Sequence, residues 1–266
     1  MSVELRSLLE RLWDDYSGLN PQASRIHELL SERGESIVND HIAFRTFDHP
    51  LVGVDVLARE FVEHGYKAGG AYSFPAKKLF ARHFDPPTPD LPRVFISELK
   101  LEDCSDRLAE LARELLSGMD MHAPLHPDFC VSGRPWLPSY ETYEELRRES
   151  EYAAWLSAFG FRANHFTVSF NALKTFSDLE SFNEFLKENG FSLNAEGGEI
   201  KGSYEVYLEQ SSTRAAHVAV EFEEGTIEVP GCYYEFARRY TLPNGRIFEG
   251  FVEKSADKIF ESTDRK

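Results

Sequence analysis

The chain has 266 residues, 42% of them hydrophobic with 21 Phe and 11 Tyr, and its 45 acidic against 29 basic side chains give a formal charge of −16. This composition suits a packed domain spanning 1–266 rather than a disordered chain, and so acidic a surface, with no Lys/Arg cluster among aromatics, argues against nucleic acid as a partner. The three cysteines, Cys104, Cys130 and Cys232, lack C-x-x-C spacing, the N-terminus lacks a signal-peptide pattern and no stretch reaches transmembrane length, so a cytoplasmic protein without disulfides, thiolate metal or membrane partner is expected.

The N-terminal run MSVELRSLLERLWDDYSG reads as an amphipathic helix, and Gly18 to Pro21 breaks the pattern before a second helix reaching about Arg33. HIAFRTF (41–47) alternates as a strand does, with Ile42, Phe44 and Thr46 on one face and His41, Ala43, Arg45 and Phe47 on the other. VDVLAREFVEHG (54–65) is predicted helical on Val54, Leu57, Phe61 and Val62, with Gly65 ending it. Strand-like runs follow at 70–74, 78–84 and 93–101, the last two separated by the Pro-rich 86–92. Residues 104–162 read as a helical insertion, in which DRLAELARELLSG and EELRRESEYAAWLSAFG flank a loop rich in Pro and His. Beyond it, HFTVSF (165–170) is a strand opening on a histidine, 177–190 a helix, and 202–210, 214–223 and 233–242 strands.

The second half thus repeats the first. Gly65 lies 24 residues beyond His41 and Gly190 lies 25 beyond His165, and DHIAFRTF and NHFTVSFN share a polar residue before the histidine. A β-α-β-β-β unit used twice, at 35–103 and 163–255, accounts for this. Two such curled units packed side by side bring His41 and His165 into one cavity, where Glu235 on the last strand can complete a three-ligand face. Two imidazoles and a carboxylate suit Fe(II), with open positions for a chelating substrate and O₂; Zn(II), Mn(II) or Ni(II) are possible substitutes.

Other residues compete for roles. Glu98 ends the first unit much as Glu235 ends the second, and is a candidate fourth ligand, though a rim position suits it better. His217 reads as a satisfied sheet histidine. His122 and His126 have i, i+4 spacing, but Pro124 between them argues against a metal-binding helix. Lys77 and Lys78 read as solvated, and Cys232 has no evident base to make it a nucleophile. Arg239 shares the strand face of Glu235 and is a second candidate, after Arg45, for binding a substrate carboxylate. The structural alternative for Arg45 is an ion pair with Asp40 or Asp48.

The run NDHIAFRTF, the later NHFTVSF and the glutamate within YYEFARR resemble the 2-oxoadipate dioxygenase/decarboxylase family, also called 2-hydroxyglutarate synthase, over most of residues 35–255. The resemblance implies an α+β fold similar to the vicinal oxygen chelate superfamily, with paired β-α-β-β-β units forming a curled mixed sheet or half-barrel with added helices. It implies that His41, His165 and Glu235 hold iron, with both histidines facing the bound substrate, and that Arg45 holds the substrate carboxylate in catalysis. The implied partners are a 2-oxo acid and O₂, and the implied reaction converts 2-oxoadipate to 2-hydroxyglutarate and CO₂. Longer family members extend past the position of Lys266 and draw part of their pocket from that extension, so the substrate pocket is expected to differ more than the iron site. A metal-dependent isomerase or hydrolase on the same fold, and a metal-free binding protein, are the alternatives.

Overall fold

Amphipathic spacing builds the first helices of the computed structural model, which describes residues 2–264. In α1 (Val3–Leu19) the buried residues Leu5, Leu8, Leu12 and Tyr16 recur every three or four positions and form one apolar face. Ser2 caps this helix by accepting from the Leu5 N–H. Pro21 opens α2 (Pro21–Glu32), at a position where its missing N–H costs nothing.

The first half then runs β1 (Asn39–Phe47), α3 (Val54–Glu63), β2 (Lys67–Phe74), β3 (Leu79–Asp85) and β4 (Arg93–Leu99). Three helices follow, α4 (Asp106–Ser117), α5 (Tyr140–Glu149) and α6 (Glu151–Phe159). The second half comprises β5 (Ala163–Ser169), α7 (Leu179–Glu188), β6 (Lys201–Ser203), β7 (Leu208–Ser212), β8 (His217–Phe222), β9 (Gly225–Pro230) and β10 (Tyr233–Arg239), before the terminal α8 (Glu253–Ile259).

Eight strands form one mixed sheet in the order β2-β3-β4-β1-β5-β10-β7-β6. The order is mirrored about the centre, where β1 and β5 pair antiparallel, and each has a parallel neighbour from the end of its own half, β4 and β10 respectively. The likeness extends to the turns. A 3₁₀ turn (Pro75–Lys77) and a left-handed Lys78 join β2 to β3, and a 3₁₀ turn (Tyr204–Val206) and a left-handed Tyr207 join β6 to β7.

Three predicted elements are corrected. The run 202–210 is this hairpin rather than one strand. The predicted strand at 214–223 lies outside the main sheet: β8 pairs only with β9 as a separate hairpin, which makes β10 the counterpart of β4. The long helix predicted after residue 143 is two helices, because Ser150 adopts an extended conformation and caps α6 by accepting from the Ala153 N–H.

Alternation along the central strands separates two faces. The outer face packs on helices, with Phe44 against Phe61 of α3, Phe166 against Trp13 of α1, and Phe236 against Phe182 of α7 at ring separations of 5.6, 5.2 and 4.6 Å. Helix α6 is buried on every side and supports the other face, where Trp155 donates to the Gly231 carbonyl and Tyr152 to that of Ser97.

Gly160 links α6 to β5 at φ 68° and ψ −143°, and an added Cβ would lie 2.3 Å from the Gly133 carbonyl oxygen. Gly160→Ala is therefore expected to destabilise the fold by at least about 1–3 kcal/mol, since it adds backbone strain to a steric clash. Urea denaturation measures this, and an unchanged midpoint contradicts it.

Candidate metal centre

On the inner face of the central strands, His41 of β1, His165 of β5 and Glu235 of β10 converge, with ligand-type atoms all within 4.8 Å of one another. The Nε2 of His165 lies 3.2 Å from Glu235 Oε2 and that of His41 lies 3.7 Å from Oε1. All three side chains are buried. The two histidines come from the paired first strands of the two halves, while β10, parallel to β5, brings in the carboxylate.

The donors of this arrangement suit a cation at its centre. Asp40 Oδ1 lies 2.8 Å from His41 Nδ1 and Asn164 Oδ1 lies 3.1 Å from His165 Nδ1. With N–H groups on those Nδ1 atoms, both rings turn Nε2 lone pairs toward Glu235. Burial pushes the His165 pKa down to about 4, which keeps its imidazole neutral and able to bind metal at neutral pH. Burial would raise the pKa of Glu235, but His41, His165 and a hydrogen bond from Gln210 hold it below the ordinary value. Two imidazole nitrogens and a carboxylate thus face one small space, with the Thr167 hydroxyl 3.1 Å from His41 Nε2 and the Gln210 amide on Glu235 beside it. The donor set therefore fits a divalent cation, with imidazole and carboxylate ligands suited to Fe(II) and its neighbours.

Supporting residues surround the three. Gln210 Nε2 donates to Glu235 Oε1 at 2.6 Å, the Tyr233 ring stacks on His165 at 4.4 Å, and Phe251 meets the His41 ring edge-to-face at 4.8 Å. The space at the ligands is about 20 Å³, enough for an ion or one water. Beyond Phe260, which lines both spaces, lies a cavity of about 230 Å³ that reaches Arg45, Lys77, Lys78, Tyr152 and Thr263.

Arg45 is 2% exposed. Its Nη2 donates to Thr263 Oγ1 and its guanidinium lies 5.0 Å from the Tyr152 ring centroid and 5.2 Å from that of Trp155. Its Nε and Nη1 make no hydrogen bond of good geometry among the described residues, and the Tyr233 hydroxyl is a neighbour of the guanidinium. It pairs with neither Asp40 nor Asp48. Asp40 is taken by Arg239, whose Nε and Nη2 donate to its two oxygens at 2.6 and 2.8 Å. Burial would raise the Asp40 pKa, but Arg239 and His41 hold it well below the usual carboxylate range.

Of the other expectations, those for Arg239, Lys77 and Lys78 change, while the non-ligand readings of Glu98, His122, His126 and Cys232 agree with the structure. Arg239 has its fork closed on Asp40, and its Nη1 donates to the Phe248 and Gly250 carbonyls, so it is not open to a substrate carboxylate. Glu98 is not a ligand: its Oε2 accepts from the Val54 N–H at the start of α3. The position matching Glu235 in the first half is Phe95, since Phe95 aligns with Ala43 as Glu235 aligns with Thr167, each two residues past its histidine. His217 is exposed on the β8–β9 hairpin, and His122 and His126 are exposed in their loop. Lys77 and Lys78 are not simply solvated, because they face Glu261 and Glu149 at 3.6 and 2.8 Å on the cavity wall. Burial pushes the Cys232 thiol up to about 12, which makes it inert. Sequence reasoning missed Gln210, Tyr233, Phe251 and the roles of Asp40 and Asn164; its one signal was the polar residue before each histidine.

The family model for 2-oxoadipate dioxygenase/decarboxylase matches residues 7–126 and 133–248. The chain belongs to the 2-oxoadipate dioxygenase/decarboxylase family. A chloroplastic/amyloplastic 2-oxoadipate dioxygenase/decarboxylase of Oryza sativa subsp. japonica is 40% identical, over 97% of this chain and 78% of the relative. Among solved structures, a Shewanella frigidimarina protein provisionally labelled a hydrolase is 48% identical with a TM-score of 0.90, over 95% of this chain and 99% of that one. A hydroxyglutarate synthase from Oryza sativa, solved in complex with 2-oxoadipate, is 38% identical with a TM-score of 0.89, over 98% of this chain and 92% of that one. A glyoxalase-superfamily protein of Ralstonia eutropha shares the fold at 21% identity and a TM-score of 0.74, over 92% of this chain and 84% of that one. The chain thus shares its paired, curled mixed sheet with that glyoxalase-superfamily protein, in line with the expected α+β half-barrel.

Proposed function

We propose that this chain is an Fe(II)-dependent dioxygenase/decarboxylase that converts 2-oxoadipate and O₂ to 2-hydroxyglutarate and CO₂. The observation that carries this reading is the juxtaposition of a His41–His165–Glu235 face with a buried, incompletely bonded Arg45 on an adjoining cavity. Family membership and the 2-oxoadipate complex of the rice relative support the substrate.

His41, His165 and Glu235 would hold the iron, which when bound would supply chelation of the 2-oxo acid and the redox chemistry with O₂. Arg45 supplies the countercharge for a substrate carboxylate, for which its planar fork is suited, and Tyr152, Trp155 and Thr263 hold the guanidinium in place. Phe251, Phe260 and Tyr233 line the ligand space with aromatic surface and keep bulk water from the reacting carbons. The overall reaction balances without another reductant: C1 leaves as CO₂, and both atoms of O₂ end in the five-carbon hydroxy acid.

Oxygen uptake by anaerobically iron-loaded protein across a panel of 2-oxo acids tests the proposal. Uptake with 2-oxoadipate, and 2-hydroxyglutarate carrying both labels under ¹⁸O₂, is the expected result. Turnover that proceeds without O₂ would instead place the chain with isomerases or hydrolases.

A further inference from the structure

Each central strand carries an irregularity at its own ligand. On β1, Asn39 and His41 align with Val168 and Thr167, leaving Asp40 as an extra residue. On β5, Ala163 and His165 align with Phe44 and Ala43, leaving Asn164 as the extra residue. A regular strand sends the side chain before a histidine to the opposite face, whereas a bulge places one more side chain at the site. These two extra residues are the ones that meet the Nδ1 atoms of His41 and His165.

We propose that Asp40 and Asn164 are positioning residues that fix both imidazoles with Nε2 toward the metal, and that the Asp40–Arg239 pair makes His41 the stronger donor of the two. The inference rests on the metal-centre reading above. An ionised carboxylate only accepts hydrogen bonds, so the proton between Asp40 and His41 belongs to Nδ1. In the metal-free protein the Thr167 hydroxyl, 3.1 Å from His41 Nε2, is placed to donate to the lone pair that a metal would take. Asn164 performs the same task for His165 with a neutral amide, at the longer distance of 3.1 Å. An imidazole that donates to a carboxylate is the more basic ligand, so the two histidines have become inequivalent through the matched residues that precede them. Arg239 extends the device: it binds both Asp40 oxygens and, through Nη1, the carbonyls of Phe248 and Gly250. That loop carries Phe251 onto the His41 ring, so one ion pair holds both a ligand and the aromatic cover above it.

The test has two readouts. Histidine tautomers are read from ¹⁵N shifts of the metal-free protein, and Co(II) affinity is read by competition with a chelator. Asp40→Ala combined with Arg239→Met removes both buried charges together, which avoids stranding one. It is expected to mix the His41 tautomers and weaken Co(II) binding by about 10–100-fold. Asp40→Asn should keep the Nδ1–H tautomer and lose less than tenfold, since an amide already serves His165. Should the double variant not fold, Asn164→Ala makes the same test on His165. Unchanged tautomers together with Co(II) affinity within twofold of wild type overturn the proposal. Glu235→Ala separates the two readings. If wild type binds Co(II) and this variant does not, a silent double variant sinks only the positioning role. If wild type binds no Co(II), the metal-centre reading fails, and the tautomers of the metal-free protein still decide whether Asp40 and Asn164 orient the rings.

Discussion

His165→Ala is expected to abolish both metal binding and turnover while leaving a folded protein. Three side chains face the centre, and removal of one leaves a single imidazole and one carboxylate to hold the ion. The loss of affinity should exceed the roughly 10–100-fold that removal of an outer partner costs. Truncation also removes the ring that stacks on Tyr233 at 4.4 Å, so some loss of stability accompanies the loss of function. His165 contributes no charge that the fold needs, because burial already keeps its imidazole neutral at neutral pH, with its pKa pushed down to about 4. Metal analysis, oxygen uptake and a thermal melt on the same preparation check this. Retention of stoichiometric metal and activity by the folded variant would remove His165 from the centre.

Arg45→Met should separate function from stability in the opposite sense. The guanidinium is buried, and its Nε and Nη1 make no hydrogen bond of good geometry among the described residues; its neighbours are the Thr263 hydroxyl, two aromatic faces and the Tyr233 hydroxyl. Such a group costs desolvation in the free protein, and an apolar side chain of similar length removes that cost. The melting temperature of Arg45→Met is therefore expected to equal or exceed that of wild type. A substrate carboxylate deprived of its buried partner loses about 2–5 kcal/mol, so kcat/KM for 2-oxoadipate should fall by roughly 30- to 5,000-fold. Metal affinity should be nearly unchanged. Arg45→Lys keeps the charge but not the planar fork and should recover only part of the loss. If Arg45→Met lowers stability and leaves kcat/KM intact, the residue is structural. If it strips the metal, Arg45 supports the centre rather than the substrate.

The amino-acid sequence by itself determined the repeat, and through it the meeting of the histidines. The equivalent places of His41 and His165 at the start of the first strand of each half predicted that they meet, and similar spacing to Gly65 and Gly190 marked the two halves. It placed Arg239 on the correct strand face, yet its partner Asp40 lies 199 residues away, and only packing decides which distant charge neutralises a buried one. Glu98 resembled Glu235 by its place near the end of a unit. The β8–β9 hairpin leaves the sheet between β7 and β10, however, so counting strands along the chain gave the wrong correspondence. The polar residue before each histidine was visible in both halves, but a regular strand would have turned it away. The antiparallel pairing of β1 with β5 created the two bulges, and pairing is a property of two segments 126 residues apart rather than of either one. Local periodicity is carried by neighbours along the chain, whereas bulges, ion pairs and the aromatic cover depend on which strands and loops finally meet.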